Sequence, residues 1–267
     1  MLKDITLGQF FPGSSVVHRL DPRTKLLLLV GYIVALFVAS GWISYAVCFA
    51  FLAMSIAISR IPLKSIFHGL KPLVVILIFT GVLNIFFTPG TPIFQLGFLT
   101  VTWEGLAQAA KMMLRIMMLI SGTFLLTYTT SPIALTDGLE SLLAPLKAIK
   151  VPVHELSMMM CIALRFIPTL IEETDKIMSA QKARGADFES GNLLERVKAM
   201  VPILVPLFIS AFRRADELAT AMECRCYQGG EGRTKMKLLR YRRNDYITYL
   251  VGLVLVAGVI VLVSFGL

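Results

Sequence analysis

At 267 residues, 56% of them hydrophobic and 16% charged, with a mean hydropathy of +0.75, the chain is too apolar for a soluble protein of this length and reads as an all-α integral membrane protein. Its net charge of +9 could suit nucleic acid, but Lys and Arg also accumulate on the cytoplasmic side of membrane proteins, and no nucleic-acid partner is expected. Cys48, Cys161, Cys224 and Cys226, with the scattered His18, His68 and His154, offer neither metal-ligand spacing nor a disulfide framework, so no cofactor is expected and the thiols read as packing residues.

The polar, turn-like opening has no basic region leading into a short apolar run, so no cleaved signal peptide is expected. About 20 apolar residues cross a bilayer as a helix, and five runs pass that test with some tolerance at the ends. Asp21 can cap the first, Pro22 suits its first turn, and residues 26–40 supply the apolar part. Gly41 breaks it, and Trp42 and Tyr45 are expected at a membrane interface before the second crossing, residues 43–59. A basic loop with Arg60, Lys64 and Lys71 precedes the third, residues 72–88. Residues 89–103, a loop without Lys or Arg, lead to the fourth, residues 104–130, and residues 246–267 form the fifth. Basic segments alternate with the uncharged loops in the order that makes the N-terminus cytoplasmic, and an odd number of crossings leaves the C-terminus outside.

Residues 156–171 and 199–212 are also apolar, but Arg165 interrupts the first and the second is short for a span. Were both to cross, Lys176, Lys182, Arg184, Arg196 and Lys198 would lie outside, against the charge rule. Three domains follow: residues 1–130 with four transmembrane helices, a cytoplasmic-side region over 131–245, and a last transmembrane helix over 246–267. Punctuation divides the middle region into three helices, starting at Ser131-Pro132, Pro152 and Asn192, with Gly185 closing the second. Pro168, Pro202 and Pro206 are expected to kink the two long ones.

Those two helices carry a repeated pattern. Arg184 in Ala183-Arg184-Gly185 and Arg225 in Cys224-Arg225-Cys226 are 41 residues apart, and so are Asp175 and Asp216, and Ala180 and Ala221. Leu170, Ile171, Thr174, Ile177, Met178 and Gln181 form one stripe; Ala211, Phe212, Ala215, Leu218, Ala219 and Met222 repeat it at the same offset. Glu172, Glu173, Arg213 and Arg214 are expected away from the stripes. Either stripe could be a packing face. Each arginine could serve as favourable charge at a helix C-terminus, or its small neighbours could clear the approach of a guanidinium to a partner's carboxylate. From the residues alone, capping and docking are both open.

Lys111 and Arg115, four apart within the fourth span, suit either an intramembrane function or snorkelling at the outer interface. Met112, Met113, Met117 and Met118, with Met158, Met159 and Met160, suit an adaptable surface or ordinary filler.

The chain resembles the transmembrane T component of energy-coupling factor transporters, the EcfT or CbiQ-like family of ATP-binding-cassette importers. The resemblance rests on Leu20-Asp21-Pro22-Arg23-Thr24-Lys25, Ala163-Leu164-Arg165-Phe166-Ile167-Pro168, Ala180-Gln181-Lys182-Ala183-Arg184-Gly185 and Ala221-Met222-Glu223-Cys224-Arg225-Cys226. It implies a non-catalytic cell-membrane scaffold. Two cytoplasmic ATPases, non-identical ones given the unequal motifs, would dock at Ala183, Arg184, Gly185, Cys224, Arg225 and Cys226. A substrate-binding membrane S component for a vitamin or metal ion would lie on the apolar faces, at Leu170, Ile171, Ile177, Met178, Ala211, Phe212, Ala215, Leu218 and Ala219. One departure stands out: Cys226 occupies the place of the second motif's glycine, and the helix stop there is expected to be lost. The rival readings are a substrate-translocating permease, which needs more polar residues along the spans, and a membrane enzyme, for which Glu172, Glu173 and Asp175 have no nucleophile or His partner in sequence. No Gly-x-x-x-x-Gly-Lys-Ser/Thr phosphate loop is present, so ATP would bind elsewhere.

Overall fold

The computed structural model describes residues 10–96, 99–186, 188, 192–230 and 238–266. The helices are α1 (Pro22–Val38), α2 (Trp42–Ser59), α3 (Leu63–Leu70), α4 (Val74–Phe87), α5 (Trp103–Thr129), α6 (Pro132–Leu143), α7 (Val153–Ala183), α8 (Leu193–Glu223) and α9 (Arg243–Ser264). Two short strands, β1 (Pro92–Leu96) and β2 (Leu99–Thr102), pair antiparallel with Pro92 opposite Thr102 and Leu96 opposite Leu99. The chain divides into two compact units, one of Gly8–Gly138 with Leu239–Leu267, the other centred on Leu139–Leu238.

Among the described residues, five helical segments are long and apolar enough to cross a membrane, as expected in number: Trp42–Ser59, Leu63–Phe87, Trp103–Thr129, Val153–Ala183 and Arg243–Ser264. The membership differs at one place. Helix α1 has only 17 residues, at the lower limit for a span, whereas α7, expected on the cytoplasmic side without crossing, has 31 and qualifies by length and composition. Arg165 does not disqualify α7 because the neighbouring turns are apolar. Two expected loops are also structured. The basic stretch after α2 becomes helical at Leu63 because Leu63, Ile66, Phe67 and Leu70 recur at helical spacing. Within residues 89–103 lie the paired strands β1 and β2, entered where the Glu104 carboxylate accepts from the Thr91 backbone N–H at 2.7 Å.

In the first unit α1, α2, α5 and α9 meet in one core, built from Tyr32, Leu36, Tyr45, Cys48, Leu52, Met118, Leu255 and Val259. Tyr45 is therefore a core residue, 2% exposed, and not the interfacial one expected, while Trp42 is 53% exposed. Cys48 packs fully buried as expected. The helix ends are tied by a polar network. Asp21 caps α1, accepting from the Arg23 N–H at 3.0 Å, and donates its own N–H to the Asp245 carboxylate at 2.8 Å. Asp245, fully buried, also accepts from the Arg242 N–H at 2.7 Å, closing the start of α9. Arg23 donates to the Leu239 carbonyl at 2.9 Å, and its guanidinium lies 4.9 Å from the centre of the Tyr241 ring. Lys25 reaches the end of α5, donating to the Thr129 carbonyl at 2.9 Å and the Thr130 hydroxyl at 3.1 Å.

At the far end of α1, Lys111 donates to the Ser40 carbonyl at 2.8 Å and Arg115 to the Ala39 carbonyl at 3.1 Å. Arg115 thus satisfies the carbonyl of the α1 C-cap, Ala39, and Lys111 the carbonyl just beyond it, so two cations from another helix close the end of α1. Of the neighbouring methionines Met118 is buried, Met117 is exposed, and the Met113 sulfur packs beside Gly81, so this group is mostly filler between helices.

Candidate functional site

In the second unit α7 and α8 pack against each other. The Arg214 guanidinium meets the Glu173 carboxylate at 2.8 Å, and the Gln181 amide reaches the Pro202 carbonyl at 3.5 Å. As numbers rise along α7 they fall along α8, so the helices run antiparallel. Glu173 and Arg214 are themselves 41 apart, hence equivalent positions of the repeat. The pair consequently crosses at one repeated position facing its own counterpart. Expected away from the stripes, both lie at the contact between the two helices.

The repeated stripe is split by this packing. Ala211 and Leu218 are half-buried beside Arg214, whereas Ala215, Ala219 and the 68%-exposed Phe212 remain open. On α7 the corresponding Leu170, Ile171, Ile177 and Met178 are all half-buried. The open edge of α8 continues toward its start through Phe208, Val205 and Val201, all exposed. Pro168 lies inside α7, and Pro202 and Pro206 inside α8, as expected, and both helices run through them.

The two arginines close their helices in the same way. After α7, the Ala186 N–H donates to the Gln181 carbonyl at 3.0 Å and the Gly185 N–H to the Lys182 carbonyl at 3.0 Å, with Gly185 at φ +89°. After α8, the Tyr227 N–H donates to the Met222 carbonyl at 3.1 Å and the Cys226 N–H to the Glu223 carbonyl at 2.8 Å, with Cys226 at φ +55°. Both are the paired six-to-one and five-to-two closure that satisfies a helix's last carbonyls. Every partner in one is 41 residues from its counterpart in the other. The expectation that Cys226 abolishes the stop is thus wrong: the left-handed turn is kept, because two hydrogen bonds outweigh the modest penalty of a Cβ there.

Ala183, Arg184, Gly185, Cys224, Arg225 and Cys226 are all exposed. Among the described residues neither the Arg184 nor the Arg225 guanidinium has a hydrogen bond or ion pair. Each projects from a turn that already satisfies its own carbonyls, so neither is needed as a side-chain cap. The antiparallel arrangement sets them at opposite ends of the helix pair, up to about 35 Å apart for a rise of about 1.5 Å per residue. Asp175 is half-buried and Asp216 exposed, and no ion pair joins either to the arginine that follows it.

Asp245 was invisible as an organising residue in the sequence, although it is the lone acid of the C-terminal helix. A second polar cluster escaped it too. Glu140 accepts from the Ser157 hydroxyl at 3.1 Å and pairs with His154 at 3.2 Å, fastening α7 to the chain before it. No group of three or more metal-ligating side chains occurs among the described residues.

The family described as CbiQ, cobalt transport protein, matches residues 13–236. The chain is 54% identical over 262 residues to the energy-coupling factor transporter transmembrane protein EcfT of Ruminiclostridium cellulolyticum, covering 98% of each chain. It is 58% identical over 258 residues to the protein of the same name from Clostridium kluyveri, covering 96% of each, and 51% identical over 261 residues to that of Bacillus subtilis, covering 97% of this chain and 98% of the relative. These relatives carry the name of a transporter component and not of an enzyme. Full-length coverage at such identity, on a helical framework with five segments able to cross a membrane, places this chain in the EcfT family of energy-coupling factor transporter transmembrane proteins.

Proposed function

We propose that the chain is the non-catalytic coupling scaffold of an importer, with Arg184 and Arg225 each docking one of two cytoplasmic ATPases. The observation that carries this reading is the pair of identically closed helix ends, each presenting an exposed guanidinium without an intramolecular partner among the described residues. A planar fork on a rigid turn is well formed to meet a carboxylate in a partner's groove, where a charge-assisted pair is stronger than a neutral one. Gly185 and Cys226 make the two sites similar and not identical, as two non-identical ATPases would require.

The open edge of α8 at Phe212, Ala215 and Ala219, with Leu170, Ile171, Ile177, Met178, Ala211 and Leu218 around the crossing, carries the substrate-binding S component, which delivers a vitamin or metal ion. On this reading α7 and α8 lie on the cytoplasmic side despite the span-like length of α7, and the N-terminus is cytoplasmic with the C-terminus outside. Because the docking ends lie on opposite ends of an antiparallel pair, ATP-driven approach of the two ATPases changes the angle at the Glu173–Arg214 crossing and tilts whatever rests on the helices.

The test is copurification of the ATPases with the full chain, together with uptake in reconstituted vesicles. Arg184→Ala and Arg225→Ala each weaken retention of one ATPase, and the double substitution abolishes retention and transport. Truncating one partner of a desolvated charge pair costs roughly 2 to 5 kcal/mol, enough to lose a complex on a column. Intact retention and uptake in the double variant would falsify the docking role.

A further inference from the structure

The geometry points to a binding site for one anionic phospholipid, its acyl chain in the groove between α2, α3 and α5 and its phosphate on Arg60. The groove encloses about 460 Å³, and its walls come from Phe49, Leu52 and Ile56 of α2, Ile66 and Phe67 of α3, and Met117 of α5, among others. Arg60 is the one charged residue that lines it.

Three observations select a lipid over other apolar occupants. The first is length. From Phe49 to Arg60 the groove follows α2 for about 16 Å at 1.5 Å per residue, close to the roughly 15 Å of a single leaflet's hydrocarbon. The second is polarity along that length: every lining residue except Arg60 and Ser121 is apolar, and the cation sits at the end where α2 stops. This is the order of parts in a phospholipid, with chain inward and phosphate at the rim. The third is charge. Arg60 is exposed, and its guanidinium has no hydrogen-bond or ion-pair partner among the described residues. No Asp or Glu occurs in the sequence between Asp21 and Glu104, while Lys64 and Lys71 follow Arg60 on the next turns. The local field therefore favours an anion, with no acidic residue on α2 or α3 to compete for it.

The backbone adds to this placement. Arg60 holds φ +57° directly after the last residue of α2, a position where glycine would be free of strain. An arginine there sets the guanidinium at the rim of the groove. Below it, α3 is amphipathic, with Leu63, Ile66, Phe67 and Leu70 toward the groove, Lys64 and His68 at its other positions, and Lys71 just after its end.

Fluorescence quenching by brominated lipid tests the site in the full chain. Trp42 and Trp103 are replaced by Phe and a single Trp is placed at Phe67, which is 68% exposed, or at the groove's far end at Phe49, 56% exposed. The protein is reconstituted in phosphatidylcholine vesicles doped with brominated phosphatidylglycerol or, at the same mole fraction, brominated phosphatidylcholine. The anionic lipid is expected to quench with about fivefold higher affinity, the factor that one basic side chain near an anionic surface carries. Arg60→Gln removes that preference, and Lys111→Gln at the other end of the helices leaves it. Equal quenching by both lipids overturns the proposal, as does a preference that survives Arg60→Gln. Loss of the preference in inorganic phosphate would assign the rim to free anions, and no quenching by either lipid at both Trp positions would assign the groove to protein; each result also overturns it.

Discussion

Arg184 and Arg225 owe their presentation to the residue that follows each. Gly185 takes φ +89° without penalty, whereas Cys226 takes φ +55° against the clash of its Cβ, worth about 1–2 kcal/mol for an L-residue. Cys226→Gly relieves that clash but gives the unfolded chain more freedom, a cost of roughly 0.5–1 kcal/mol. The net expectation is stabilisation of up to about 1.5 kcal/mol, measured as a rise in thermal unfolding midpoint of the detergent-solubilised chain. Gly185→Cys is the reciprocal change. Nothing lies within 4 Å of a Cβ built at Gly185, so the substitution should cost only the backbone term and leave the turn in place. If Cys226→Gly lowered the midpoint, the left-handed closure of α8 would be wrong.

At the scale of elements, the antiparallel pair α7 and α8 turns on Glu173 and Arg214, equivalent residues of the repeat meeting at the crossing. Single reversals, Glu173→Arg or Arg214→Glu, set like charges against each other and should reduce uptake more than they reduce ATP hydrolysis. The double reversal should recover uptake, because the pair is restored with its ends exchanged. Transport and hydrolysis rates of the reconstituted complex, measured side by side, check this; a double reversal as impaired as the single ones would remove the crossing from the coupling path. The repeat itself was legible from spacing alone, down to Ala180 and Ala221. The contact between its halves was not, since a stripe at helical spacing says which residues share a face and not which edge of that face a neighbour covers. The same limit explains Tyr45, whose ring suits an interface by composition and was carried into the core by the helices around it. Residues 63–70 resemble a loop by their charge, but the four apolar positions at helical spacing make them a helix.

Across the whole molecule, the motif Asp21-Pro22-Arg23-Thr24-Lys25 gains its meaning from partners far away in sequence. Its aspartate N–H ends on Asp245, its arginine on Leu239, and its lysine on Thr129 and Thr130, so one short segment gathers the starts of α1 and α9 with the end of α5. Local reading finds the helix cap in Asp21 because the donor is two residues away. It cannot find Asp245, whose acceptor role spans 224 residues. Asp245→Ala strands the buried N–H of Asp21 and removes the partner of the part-buried N–H of Arg242. At about 1–3 kcal/mol for the buried donor and less for the part-buried one, the loss should be about 2–3 kcal/mol, loosening α9 from α1. Asp245→Asn keeps one carbonyl oxygen and should cost distinctly less. Thermal unfolding read by near-ultraviolet circular dichroism separates the two, and protease sensitivity before Arg243 locates the opening. Equal stability of both variants and the parent would show that the three helix ends are held by apolar packing alone, and that the buried carboxylate contributes nothing to their assembly.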